Sequence, residues 1–523
     1  MRKLHPVYLP ILVVCLATLA ATAQSFQVQC PTSTATHPNA ANNDSEPAYT
    51  GATYPGISSD YQSGKTGPVN GAIKCQQISG GDGFATMGDG TQTYMFSFGP
   101  LSGLTKIANG QPGTDSPSEF NVVYGGTFVP GDPATTDTAG AGPNPLSTFG
   151  YDGAVGLAPD LDNGGAINGH VDVRPIMDVG VMNGNIPAPL MAIDEDDEFF
   201  LTLTNVGQIM RPDLFEQHTV HFHGYPNASA FYDGVPDASV AINIGGSFTY
   251  YYLAPDAGTY FWHCHITPPE HLQMGMVGQI YVRPRQNRWS GDLYAGLQQQ
   301  QMDLRTKCDS SDILCSNPLP AVQTGASNDG TRKYAYNDGD GSTAYNVEYP
   351  LQIHGFDPNF HFVGMTFNPE NFTDMKDKFF LLNGRSYPDT VTPGPLATQT
   401  TDGAMHYSQP LPSIINIPAG GRALLRISDL DVTEFQTLAS LGIPMQVIAL
   451  NAKLLRDQAG NNMYYTTNSI TLGGGESLDV ILDASDTTKY PSGSVFYLYT
   501  PNLDHLSNDA ENFGGLMTEV RIN

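Results

Sequence analysis

Six of the chain's 13 histidines fall in one short stretch, beside a cysteine. It opens with His218-Thr219-Val220-His221-Phe222-His223-Gly224 and closes with Trp262-His263-Cys264-His265, followed by His271 and Met276. A metal ion that shuttles single electrons is served by two imidazoles, one thiolate and a weak axial thioether. Cys264, His271 and Met276 supply three of these from one strand-loop-strand unit. His218, brought in from a neighbouring strand, supplies the fourth. The chemistry this points to is copper. Zinc is the inorganic competitor, but the downstream methionine and the neighbouring imidazole pairs favour copper.

The remaining histidines follow the period of a strand, in which residues two apart share a face. His221 and His223 form one such pair. His263 and His265 form another, on the face opposite Cys264. The alternation therefore turns Cys264 toward one metal site and its two neighbours toward a second, with a covalent route between them. A lone histidine is usually structural or superficial, and His5, His37, His170 and His406 are read that way.

Strands must position these groups. In Glu198–Asn205, Phe199, Leu201 and Leu203 alternate onto one face, and in Ser247–Leu253, Phe248, Tyr250 and Tyr252 do the same. Gly258–Trp262 leads into the His-Cys-His cluster, and Gly278–Val282 closes the unit. Thr93–Phe98 and Glu119–Tyr124 also read as strands. The turn-rich tract 130–169 reads as a long surface insertion. A second strand-rich unit starts near Tyr349 and repeats the first. Ala423–Ser428 echoes the strand at 198–204, Gly475–Val480 echoes 246–251, and Val495–Tyr499 with Gly514–Met517 echoes 260–282. Gln446–Leu450 holds no histidine, and Tyr499 runs into Thr500-Pro501-Asn502, so the copy lacks the ligands.

With 523 residues, 56 glycines, 39 prolines and 14 % charged residues, the composition suits short strands joined by many turns in two or three domains. Residues 1–23 read as a secretory signal: Arg2 and Lys3, an apolar run from Val7 to Ala20, and a small-residue cleavage site at Ala21-Thr22-Ala23. No later run reaches the roughly 20 apolar residues of a spanning helix. The mature chain is thus expected to be secreted, extracellular or periplasmic, without membrane insertion. The net charge of −28 argues against nucleic acid as a partner. Outside the signal, Cys30 and Cys75 are placed to staple the N-terminal segment, Cys308 and Cys315 to pair in a polar loop, and Cys264 is left over.

The stretch from about 180 to 285 resembles the multicopper oxidases and their relatives the copper nitrite reductases. His218–Gly224, Asp233-Gly234-Val235-Pro236, Gly258-Thr259-Tyr260 and His263–His265 with His271 and Met276 carry the likeness. The resemblance implies Greek-key cupredoxin sandwiches. It implies a type 1 copper on His218, Cys264 and His271 with Met276 axial, His221 as a type 2 ligand, and His223, His263 and His265 as type 3 ligands. The fold expected is therefore all-β: an irregular N-terminal extension (24–90), a copper-binding cupredoxin domain (91–285), a connector (286–344) and a second cupredoxin-like domain without copper ligands (345–523).

Two departures from the family pattern stand out. The spacing from Cys264 to His271 is about two residues longer than in the usual multicopper oxidase. The trinuclear cluster of the family takes eight histidines, and four match here. A neighbouring subunit's His354, His361, His406 or His505 could complete it in a homo-oligomer such as a trimer. Another polypeptide could do so, or the four histidines could hold one type 2 copper. Equally, His354 and His361 could be structural. The function expected is oxidation of a small-molecule or metal-ion reductant at the type 1 copper, with dioxygen as acceptor at the second site. The alternatives are a nitrite-reductase-like enzyme and a non-catalytic copper-binding electron carrier.

Overall fold

The computed structural model describes residues 27–49, 71–124, 151–224, 229–254, 256–301, 317–365, 371–399 and 405–523. The signal segment, Cys308, Cys315 and residues 130–150 of the insertion lie outside these ranges. The described chain is mostly β, arranged as two sandwiches.

The first sandwich uses eight strands: β1 (Ile73–Thr86), β2 (Gln92–Pro100), β3 (Met191–Asp194), β4 (Glu198–Gly207), β5 (His221–Phe222), β6 (Ser247–Leu253), β7 (Gly258–His263) and β8 (Val277–Arg283). One sheet runs β2-β1-β4-β6 and the other β3-β8-β7-β5. Phe199, Leu201 and Leu203 of β4 and Tyr250 and Tyr252 of β6 point inward as their alternation requires. They meet Trp262, Cys264, Met276 and Ile280 in one buried cluster.

Residues 73–86 correct the expectation of an irregular extension. They form a 14-residue strand, parallel to β4 from Ile73↔Glu198 and antiparallel to β2. The segment hides its nature because it is buried on both faces while carrying polar residues: Gln76, Gln77 and Ser79 are inaccessible. Its glycines answer to crowding. A Cβ on Gly80 would lie 2.6 Å from the ring of His218. Glu119–Tyr124 is likewise not a strand; Pro117–Phe120 forms a short helix with proline in its first turn. The Cys30–Cys75 disulfide is present, and among the described residues Cys264 is a free, buried cysteine.

The second sandwich repeats the plan. Val347–Phe356 runs parallel to Arg422–Asp429, as β1 does to β4, and Ile415–Ile417 runs parallel to Met517–Ile522, as β3 does to β8. The aliphatic core it encloses includes Ile353, Leu438, Leu498 and Leu516. The connector is more ordered than its polar composition suggests. Trp289, Leu293 and Leu297 pack on Tyr49, Tyr334 and Ala344. The sandwiches meet through polar contacts: Arg283 and Arg426 share the half-buried Glu348, and the buried Thr259 donates to Asp479 at 2.6 Å.

Candidate metal centres

β5 and β7 set the site by register. His221 pairs with His263 and Phe222 with Trp262. One residue beyond β7, Cys264 donates its N–H to the Met276 carbonyl at 3.1 Å. Cys264 therefore points into the sandwich, while His263 stays on the other face. The loop between them and β8 carries a short helix, α1 (Pro268–Gln273), which turns His271 back toward Cys264.

His218, Cys264 and His271 bring their ligand atoms within 4.8 Å of one another, all three buried. His271 Nδ1 lies 3.3 Å from Cys264 Sγ, and Sγ accepts the Thr219 N–H at 3.4 Å. Both ring nitrogens of His218 are buried without a hydrogen-bond partner, a costly arrangement for a group that gains nothing from it. Burial pushes the Cys264 thiol up, but the His271 and His218 rings outweigh burial and hold it well below the usual thiol range. The thiolate is the form that binds soft metals. Burial lowers His271, yet the Cys264 sulfur and Glu216 raise it to about 9. Met276 is fully buried in the cluster that contains Cys264.

His221, His223 and His263 form the second group, also within 4.8 Å. His223 Nε2 and His263 Nε2 are 3.0 Å apart, about the spacing of two nitrogens each ~2.0–2.1 Å from one ion. Their other nitrogens are occupied. His221 Nδ1 lies 2.7 Å from the Asp233 carbonyl, His263 Nδ1 lies 2.7 Å from the Cys264 carbonyl, and the His223 ring bonds the backbone of Gly475. Nδ1–H held by a carbonyl leaves Nε2 as the lone-pair donor, the arrangement metal-ligating imidazoles adopt. Burial, with the neighbouring rings, brings His263 down to about 3, so it stays neutral. Of the four histidines expected here, three converge. The His265 ring stands beside them, 5.2 Å from His221 and 5.5 Å from His263. The donor sets fit copper: thiolate, imidazole and a buried thioether residue in the first group, imidazoles in the second.

The histidines proposed for a neighbour's contribution are enclosed in their own chain. His354 Nε2 lies 3.0 Å from the Leu272 carbonyl. His361 Nε2 lies 3.0 Å from the Gln273 carbonyl and its Nδ1 2.7 Å from that of Tyr94. His505 stacks on Phe380 with centroids 3.7 Å apart. These three do not face outward to complete a partner's cluster, because each spends its ring on contacts within the fold. His406 lies on Met405–Ser408.

Several contributors escaped the sequence reading. Glu216 Oε2 stands 3.7 Å from His271 Nε2, and the nearness of that ring holds its carboxyl low. Gly80 leaves room for His218, and Gly475 of the second sandwich abuts His223: a Cβ there would lie 2.8 Å from the ring. Gln273 donates to Asp377 at 2.9 Å and accepts from the Asp357 N–H at 3.2 Å. With His354 and His361, these contacts tie α1 to the second sandwich. No local pattern marks such residues. The Asp233-Gly234-Val235-Pro236 motif was the one visible signal near them.

His223 and His263 open onto a cleft of about 430 Å³ between the sandwiches, walled by Phe261, Leu272, Val432, Glu434, Phe435 and Gly473–Gly475. Among the described residues no further histidine lines it.

Residues 168–287 match the family model described as multicopper oxidase. A laccase, abr2 of Aspergillus fumigatus, is 34 % identical over 109 residues, which cover 20 % of this chain and 17 % of that protein. A copper-containing nitrite reductase of Rhizobium meliloti is 34 % identical over 114 residues, covering 21 % and 27 %. Among solved structures, a blue copper oxidase from Nitrosomonas europaea aligns over 65 % of this chain and 78 % of its own, with 21 % identity and a TM-score of 0.43. The matched stretch thus spans about a quarter or less of the curated relatives' length.

Proposed function

We propose, for a chain that carries a multicopper oxidase domain at residues 168–287, that it is a copper oxidoreductase with two centres of unequal role. The observation that carries this is the end of β7. Neighbouring residues His263 and Cys264 belong to different ligand groups, so one peptide unit joins an electron-accepting site to a second site open to a cleft. Copper, when bound, supplies one-electron redox chemistry at both groups.

The chain's own residues define the rest. His218, Cys264, His271 and Met276 would hold the first ion in a dry pocket. Glu216, 3.7 Å from the outer edge of His271, marks the edge nearest an incoming reductant, whether a small molecule or a reduced metal ion. His221, His223 and His263 would hold the second ion, with carbonyl partners fixing each ring and the cleft admitting the acceptor. His265 stands close enough to adjust to a ligand there. Dioxygen is the acceptor we assign.

A nitrite-reductase-like reading is favoured by one observation: three histidines converge within a single chain, as one mononuclear site requires. Copper content separates the readings. Two ions per chain means a mononuclear second site, four a cluster completed from elsewhere, and one an electron carrier. Consumption of dioxygen or of nitrite by the two-copper protein then selects the acceptor. Absence of an intense thiolate-to-copper absorption band in the loaded protein would sink the proposal. The Cys30–Cys75 disulfide supports maturation in an oxidising compartment, and no described helix is long and apolar enough to cross a membrane.

A further inference from the structure

We propose that Asp377 is a positioning residue for the first centre. Held as a carboxylic acid between Gln273 and Thr433, it clamps α1, and with it His271, to the second sandwich; its ionisation opens the clamp. This rests on the two-centre reading only for the ion that His271 would hold. Hydrogen-bond polarity is the first argument. Gln273 accepts the Asp357 N–H through Oε1 at 3.2 Å, which turns its Nε2 toward Asp377 Oδ1 at 2.9 Å. The Thr433 hydroxyl lies within hydrogen-bond reach of both Asp377 Oδ2 and Asp431 Oδ1, yet it owns a single proton. It can donate to one carboxylate only. The other contact is a hydrogen bond only when a proton sits on the carboxyl.

The second argument assigns that proton. Asp431 is buried and accepts from the Thr433 N–H at 2.7 Å, the Thr433 hydroxyl at 2.9 Å, the Glu434 N–H at 3.3 Å and Gln436 at 2.6 Å. Asp377 is half-buried and is met by Gln273 and Thr433. The proton therefore falls to Asp377 Oδ2, which donates to Thr433 Oγ1 while Thr433 donates to Asp431 Oδ1. The two carboxyls share one small space: a Cβ on Gly355 would lie 2.1 Å from Asp377 Oδ2 and 2.6 Å from Asp431 Oδ2. Like charges so close do not both ionise readily. Burial, and after it Asp431, hold the Asp377 carboxyl well above the usual carboxylate range.

Ionisation sets the two charges against each other. Asp357 and Asp429 stand near the pair, and His354 faces Asp431. From α1 the group that meets Asp377 is the neutral amide of Gln273. On the open side lies a polar cleft of about 680 Å³, where Lys376, Lys378, Glu434 and His505 stand. The freed proton leaves to water in that cleft. Asp431 is pinned by its donors, so Asp377 is the side chain that yields, toward the lysines and away from Gln273. The helix then rests on the His354 and His361 bonds to the Leu272 and Gln273 carbonyls. A carboxyl raised by folding stabilises the fold below its unfolded value, and that contribution is lost as pH rises through its folded value. The clamp is closed in acid and opens toward alkali.

The test compares the full chain with Asp377→Asn, whose amide repeats the acid's bonding without titrating. In the metal-free protein at neutral pH, infrared difference spectra should show a protonated-carboxyl stretch that Asp377→Asn lacks and that fades as pH rises. Over the same interval, amide exchange in residues 268–276, corrected for its intrinsic pH dependence, should quicken about tenfold, the loss of about one hydrogen bond. Exchange in Asp377→Asn should stay slow. Gln273→Leu, which leaves Asp377 in place, should keep the stretch and exchange fast at every pH. In the copper-loaded protein the thiolate-to-copper band should shift across that interval and hold its acid position in Asp377→Asn. No missing stretch, or the same pH response in Asp377→Asn, would overturn the inference. A missing copper band with the infrared and exchange results intact fails the two-centre reading alone. Infrared and exchange blind to Asp377, with an intact band, fail this inference alone.

Discussion

The two sandwiches share one backbone plan and differ at the points where a metal would bind. His221 pairs with His263 in the first, and Ala439 pairs with Tyr499 in the second. The next residue along donates to the strand opposite in both: Cys264 to Met276 at 3.1 Å, Thr500 to Leu516 at 2.9 Å. Met276 N–H returns to His271, and Leu516 N–H returns to His505. Three residues before the paired position stand His218 and Gln436, so the full correspondence reads His218–Gln436, Cys264–Thr500, His271–His505 and Met276–Leu516. In the second sandwich the retained histidine is bonded by the residue that replaces a ligand: His505 Nδ1 lies 3.0 Å from Gln436 Oε1. Even the outer carboxylates match, Glu216 beside His271 and Glu434 beside His505. Space follows the same logic. Gly80 lies against the His218 ring, while Ile353 at the related strand position fills the second core. A sandwich that forgoes a metal closes the gap with aliphatic carbon and a hydrogen bond.

The sharpest way to break this comparison is to exchange the sulfur positions. Cys264→Ser should remove the thiolate-to-copper band entirely, because the remaining donors are harder, while Thr500→Ser should leave the visible spectrum unchanged. Rebuilding the missing site is the next test. The combined variant Gln436→His, Thr500→Cys, Leu516→Met and Ile353→Gly restores every ligand type around His505. An additional copper and a second thiolate band are expected, read by metal analysis and absorption. No extra copper in a folded variant would mean that side chains alone do not separate the two sandwiches.

A smaller effect tests what the ligand-free sandwich gives back. His354→Ala removes one of the bonds to the Leu272 carbonyl, which keeps the Gly275 N–H at 3.0 Å, costing about 0.5–1.5 kcal/mol. It frees the loop that carries His271. Melting should show the loss, and the type 1 band should shift or broaden while the three-histidine centre keeps its paramagnetic signal. An unaltered band would reduce His354 to a packing residue.

The smallest expected effect concerns the seam. Burial pushes Glu195 up to about 7 although Arg285 opposes it, and its Oε2 accepts from Asn337 of the connector at 2.7 Å. A carboxyl whose folded value lies above its unfolded one binds a proton more readily in the folded state. Its stabilising contribution is therefore fully present below about 4.5 and lost as pH rises through about 7. The melting temperature should fall across that interval, and Glu195→Gln should flatten the decline.

The sequence by itself determined the ligand chemistry and the class of fold. His-x-His pairs, a cysteine between histidines and a trailing His and Met are local patterns, and strand alternation translates them directly into faces. The internal repeat was legible for the same reason, but the block matching His218–His221 lies at Gln436–Ala439 and not at Gln446–Leu450, and His505 stands at the position of His271. Tertiary structure decided the rest. β1 was unreadable because its polar residues and glycines serve contacts with distant segments: Gly80 answers to His218, and Gly83 to Gly184. Glu216, Gly475, His354 and Gln273 carry no motif, since their roles come from which strand lies opposite. Three of the four histidines bring ligand atoms within 4.8 Å of one another, with the His265 ring 5.2 Å from His221, because register as well as spacing sets where imidazoles meet. Side-chain type is written residue by residue. The cleft, the loop ties and the shared seam exist only once two sandwiches are packed together.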